Sequence, residues 1–116
     1  RTMSATTIAW EDFVRVDLRV GTVTEVKAFP EARKPAYRLI VDLGPELGLK
    51  RSSAQITDHY TAGELVGRQV IVVVNLAPKR IGPFVSECLV TGFFDERGWV
   101  RLAVPDGVVP NGARLA

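Results

Sequence analysis

The chain has 116 residues, 47% of them hydrophobic and 24% charged, which is the size and composition of one compact domain spanning residues 1–116 that buries a core without metal or disulfide support. Its longest apolar run is far too short to cross a bilayer and no charged-apolar-small leader opens it, so no membrane insertion is expected. The single cysteine, Cys88, excludes an internal disulfide and suits a reducing cytoplasm, while the net charge of +2 is gathered into a basic middle, residues 27–80, between slightly acidic ends.

Met3 is the only methionine and reads as the initiator, which leaves Arg1 and Thr2 as a remnant or an ambiguity of the start site. Residues 7–13 predict a short helix, with Thr7 as cap, Glu11 and Asp12 as its acidic residues, and Ile8, Trp10 and Phe13 on an apolar side. Seven residues bury too little to be stable alone, so this helix must dock on something. Val14, Val16, Leu18 and Val20 then alternate with Arg15, Asp17 and Arg19, which predicts a half-buried strand that residues 22–26 extend. Gly21 is the natural place for its bulge or sharp coil. Two prolines make residues 29–35 a loop with Arg33 and Lys34 at its tip.

Tyr37, Leu39, Val41 and Leu43 mark a second strand, and residues 49–56 a third, more polar one that begins with Lys50 and Arg51. Residues 57–66 read as a helix capped at Thr57 or Thr61, with Glu64 placed for a capping box and Gly67 as the stop. Residues 69–76 form the fourth strand, whose uninterrupted β-branched run, residues 70–74, predicts burial on both faces. Pro78, Gly82 and Pro83 cannot continue that sheet, so Lys79 and Arg80 are expected on a loop anchored at the core. A fifth strand over residues 86–93, a turn at residues 95–98, an extended segment from Trp99 to Val104 and two closing turns complete the chain.

Five strands with a helix between the third and fourth is the order of the OB-fold, a Greek-key barrel that binds ligands on strands two and three and on the 1–2 and 4–5 loops. The prediction is therefore an all-β domain with short helices: an N-terminal helix, a five-stranded barrel and a C-terminal extension. The pairs Arg33-Lys34, Lys50-Arg51 and Lys79-Arg80 all fall on that expected surface. Nothing in the sequence marks an enzyme. His59 is the only histidine and has no second ligand at metal spacing, Cys88 lacks a base, Ser52, Ser53 and Ser86 lack nucleophile-elbow glycines, and no glycine loop cradles phosphate. No metal or cofactor is expected.

Asp12-Phe13, the run from Val16 to Gly21, Pro30-Glu31-Ala32, Val41-Asp42-Leu43-Gly44, the run from Leu65 to Val70, and Asn75-Leu76-Ala77-Pro78 through to Ser86 resemble the tRNA-binding domain family. Residues 30–37, 52–57 and 83–90 are similar to its export-related chaperones of the CsaA type, and the likeness runs over residues 13–110. The resemblance implies a homodimeric, non-enzymatic OB-fold protein of the bacterial cytoplasm, joined through its terminal elements, with Trp10, Phe13, Trp99 and Leu102 as dimerisation residues. Where tRNA-binding members carry a Ser-Gly-Ile-like third strand and a Ser-x-Gly-Met stretch, this chain has Ser53-Ala54 and Ser86-Glu87-Cys88-Leu89. Cys88 and Leu89 add apolar surface, which suits a peptide, and Glu87 is expected near Lys79 and Arg80, where it would repel phosphate.

Two binding functions follow. One is chaperone-like capture of unfolded or precursor polypeptides for the export machinery, in a groove walled by Phe29, Tyr37 and Phe84 and rimmed by Arg33, Lys34, Lys79 and Arg80. The other is structure-dependent binding of tRNA by the same cationic loops. Lys50, Arg51, Ser53, Asn75 and Ser86 complete the candidate site for either ligand.

Overall fold

A computed structural model describes residues 6–115, so the readings of Arg1, Thr2 and Met3 lie outside the described residues. The elements are α1 (Trp10–Val14), β1 (Leu18–Ala28), β2 (Tyr37–Asp42), α2 (Gly44–Leu47), β3 (Leu49–Ala54), α3 (Ala62–Leu65), β4 (Gln69–Val73), β5 (Lys79–Ile81), β6 (Phe84–Ser86), β7 (Leu89–Val90), β8 (Gly92–Phe94) and β9 (Val100–Leu102).

The main sheet runs in the order β3-β2-β1-β4-β7, all neighbours antiparallel. The eleven-residue β1 serves as its spine, pairing with β4 over its first half and with β2 over its second. It coils tightly between the two. A Cβ on Gly21 would stand 2.5 Å from Val41 Cγ1 and 2.8 Å from Leu43 Cδ2, so only glycine lets β2 fold this close over β1. The register shift itself falls at Val23/Glu25, not at Gly21.

The inward parities fill one core. Val23, Leu39, Val41, Leu43, Val70 and Val72 are buried, and α3 closes one end of the barrel with the fully buried Leu65. Thr61 and Glu64 form the expected capping box: the Thr61 N–H donates to Glu64 Oε1 at 2.7 Å, and the Glu64 N–H to Thr61 Oγ1 at 3.4 Å. The barrel is nearly closed on its far side, where β3 meets residues 86–88. One main-chain bond runs from Glu87 N to Arg51 O at 2.8 Å, and side chains supply the rest. Arg51 N donates to Glu87 Oε1 at 2.9 Å, Ser53 N to Ser86 Oγ at 3.1 Å, and Ser52 Oγ to Cys88 O at 3.0 Å.

Several sequence expectations give way to local chemistry. The first strand starts at Leu18, because Val16 N bonds back to Phe13 O at 3.1 Å and residues 14–17 turn out of α1 with Val14 and Val16 exposed. The helix is shorter than expected and Thr7 does not cap it; the Ala9 N–H donates to Asp12 Oδ2 at 3.1 Å instead. No residue of α1 is buried, and the C-terminal segment holds only its end, where Arg114 Nη2 donates to Val14 O at 3.0 Å. Of the run at residues 70–74, Val70, Val72 and Val73 are buried and Ile71 and Val74 half-buried, so both faces are covered but neither completely. The fifth strand is broken into β6, β7 and β8, because residues 86–88 turn aside to pair with the edge of β3.

The C-terminal segment returns along β1. Val20 N donates to Ala113 O at 3.0 Å, Gly112 N to Val20 O at 2.7 Å and Leu115 N to Leu18 O at 2.9 Å. Gln69 holds the same segment by two bonds with the Val109 main chain.

Candidate functional site

The residues following β4 leave the sheet, as the prolines require, but they do not stay a loop. Lys79 and Arg80 lie in β5, which pairs with β6 through a turn in which Gly82 has φ +57°. This two-stranded ribbon is fixed from beneath. Phe84 is buried, with its ring edge-on to Phe29 at 5.3 Å, and Ala32, Ala36 and Ile81 pack round the pair as a second small core. Phe29 and Phe84 are therefore not groove walls; they are the floor that holds the ribbon down. Tyr37 is not a wall either, since its hydroxyl donates to Tyr60 O at 2.9 Å and its ring packs on the main core.

Two open clefts flank the ribbon. The first, of about 580 Å³, is lined mainly by apolar side chains, among them Ala54, Ile56, Leu76, Leu89, Val90 and Phe94. The second, of about 730 Å³, is ringed by Arg33, Lys34, Lys79 and Arg80, with Glu31 as the one carboxylate. Ser53, Gln55, Lys79 and Ile81 belong to both, so the clefts share a wall. The loop after β1 and the β5–β6 ribbon thus bring their two dibasic pairs to one concavity that Ser53 also lines, while Ser86 lines only the apolar cleft.

The other candidate residues have different work. Arg51 is stacked on Phe84 at 5.7 Å and its Nε contacts Glu87 Oε1 at 3.2 Å. The Glu87 carboxylate is thus paired with Arg51, and it follows Ser86, the ladder partner of Lys79, so it stands beside the ribbon. Lys50 lies on the opposite face of β3 from Arg51 and lines neither cleft. Asn75 is occupied at both ends of its amide, accepting from Asp17 N at 2.9 Å and donating to Arg15 O at 2.6 Å, and so clamps the N-terminal segment to the end of β4. Ser86 Oγ is held in the seam between Ser53 N and Cys88 O. Burial, and then the Glu87 charge, push the Cys88 thiol up to about 11, so it is a neutral packing group.

Arg38 escaped the sequence reading. Its guanidinium lies 5.5 Å from the Phe29 ring centre and 5.8 Å from that of Phe84, and its Nε is buried with no hydrogen-bond partner among the described residues. The only signal was its outward parity on β2 beside Leu39. Of the residues assigned to dimerisation, Trp10 and Phe13 stack at 5.5 Å and stay exposed, Trp99 is half-buried beneath Arg97, and Leu102 packs on the main core. Phe93 and Phe94 of β8, 72% and 79% exposed, add further apolar surface, of which the sequence reading had placed Phe93 at the end of the fifth strand.

The Arg51 main-chain N–H, then the guanidinium, hold the Glu87 carboxyl below its ordinary 4.5. A carboxyl lowered by folding stabilises the fold above its unfolded pKa, and that contribution is lost as pH falls through the folded value. Glu87→Gln is expected to flatten the acid side of the stability curve below about pH 4.5, read as urea midpoints against pH. An acid limb as steep as that of the parent chain would exclude Glu87 as a closure group.

Among the described residues, no cluster of three His, Cys, Asp or Glu side chains could hold a metal, and no helix is long and apolar enough to cross a membrane.

A barrel of this order, with a cationic concavity between the 1–2 loop and the ribbon after β4, has the architecture of an OB-fold. The family model described as "Putative tRNA binding domain" matches residues 18–114, and the chain belongs to that family. Within it the chain is CsaA-like. It is 49% identical to the chaperone CsaA of Bacillus anthracis, with a TM-score of 0.89 over 96% of this chain and 100% of that one. It is 46% identical to the CsaA chaperone protein of Picrophilus torridus, with a TM-score of 0.89 over 95% and 100% of the two chains. A methionine–tRNA ligase of Porphyromonas gingivalis is 37% identical over 108 residues, 93% of this chain, but the chain spans only 15% of that enzyme's length.

Proposed function

We propose that this chain is a non-enzymatic molecular chaperone of the CsaA type, which captures unfolded or precursor polypeptides in the bacterial cytoplasm as a homodimer and serves their export. The observation that carries this reading is the apolar cleft walled by Leu76, Leu89 and Phe94, open beside the cationic one. An extended polypeptide presents apolar side chains to such a cleft, and capture is weak because the chain loses conformational freedom on binding. Pairing of two copies raises apparent affinity by placing two clefts on one particle. The exposed Ile8, Trp10, Phe13, Phe93 and Phe94 supply apolar surface for that pairing.

Structure-dependent tRNA binding is the second reading, favoured by the four cations round one concavity and by the family. Titration of an unfolded precursor and of tRNA at two salt concentrations separates the two. Binding through about six phosphates falls roughly a thousandfold between about 50 and 200 mM salt, and apolar capture barely changes. Lys79→Ala with Arg80→Ala is expected to abolish tRNA binding and to leave most of the precursor binding. Failure of the precursor to saturate below about 100 μM would exclude the chaperone reading. Light scattering of the same samples tests the pairing: a dimeric mass is expected, and a monomer at micromolar concentration would exclude it.

A further inference from the structure

We infer that the paired clefts select polypeptide segments in which an apolar run is flanked by acidic residues, and reject those flanked by basic ones. This rests on the polypeptide-binding reading and adds the sequence class of the ligand.

The argument is one of continuity and charge. The apolar and the cationic cleft share Ser53, Gln55, Lys79 and Ile81, so the flank of a segment seated in the first lies beside the second. There it meets Arg33, Lys34, Lys79 and Arg80, all exposed, against the single carboxylate of Glu31. The charges round this rim have no partners of their own: none of the four cations is in an ion pair among the described residues. The nearby acidic group that could have offset them, Glu87, is spent on Arg51. Behind the rim, Arg38 adds another cation with no carboxylate, held between Phe29 and Phe84.

A flanking lysine or arginine would therefore enter a surplus of like charge, and a flanking aspartate or glutamate would be attracted. Export leaders begin with a basic segment followed by an apolar one. The clefts are accordingly mismatched to leaders and matched to acidic-apolar stretches elsewhere in a precursor.

Matched synthetic peptides with one common Leu/Val run, flanked by Glu, Ser or Lys, are titrated against the full chain by fluorescence anisotropy, with a Glu-flanked peptide of serines as control. The expected order is Glu, then Ser, then Lys, with at least about a tenfold span from first to last that shrinks at high salt. Arg33→Gln with Lys79→Gln should compress the span, whereas Leu89→Gln should weaken all three apolar peptides alike. Equal binding of the three overturns the charge selection and leaves polypeptide capture standing. Tight binding of the serine control also overturns the inference, because the apolar half would then be unused. Binding of tRNA with no binding of any peptide removes both the inference and the reading beneath it.

Discussion

Replacing Gly44 by alanine is expected to destabilise the fold by about 3 kcal/mol. Gly44 is buried, has φ +90°, and a Cβ there would lie 2.5 Å from Asn111 O. The obstacle is main chain on both sides. Gly112, at φ +91°, faces Leu43 O with the same lack of room, 2.7 Å for an added Cβ. The start of α2 and the returning C-terminal segment thus interlock through two glycines, and a methyl group at either must part them. Gly67→Ala is the control, since Gly67 has φ +92° but nothing within 4 Å of an added Cβ. It should cost about 1 kcal/mol, the backbone term alone. Urea denaturation of the two variants measures both; equal losses would show that the interlock carries no energy.

The second large effect concerns the floor of the site. Phe84→Ala is expected to cost about 3 kcal/mol, the usual loss for a buried phenylalanine. The ring contacts Phe29 and carries both Arg38 and Arg51 on its surface, so its removal frees the β5–β6 ribbon along with the charges arranged on it. Phe84→Leu keeps most of the apolar contact and loses the aromatic face. It should retain more than half of the lost stability while still weakening acidic-peptide binding, if the stacked arginines help to hold the rim. A stability loss below about 1 kcal/mol for Phe84→Ala would mean that the second small core forms without it.

Much of the barrel was legible because its signals are local. Alternation placed Leu39, Val41, Val70 and Val72 inward, the Thr61/Glu64 spacing fixed α3, and the prolines at 78 and 83 ended the pairing of β4. Alternation misled at Val14 and Val16, where the parity continues but the backbone bonds of α1 and the Asn75 clamp turn the chain away. The clustering of Arg33, Lys34, Lys79 and Arg80 was legible from strand order alone. What those strands leave open was not. That Phe29 and Phe84 face inward, and that Arg51 and Glu87 pair across thirty-six positions, depends on how the ribbon folds over β3. No periodicity encodes that contact.

The line where β3 meets residues 86–88 has a mechanical consequence. Elsewhere the cylinder is held by backbone ladders, whose bonds must break together for adjacent strands to part. Along this line one main-chain hydrogen bond and the side chains of Ser52, Ser86 and Glu87 do the joining, and each can stretch or rotate singly. Ser53 and Ser86 stand both in this joint and on the cleft borders. The cylinder can therefore widen beside the two clefts without unzipping a strand, which gives one rigid scaffold an adjustable mouth.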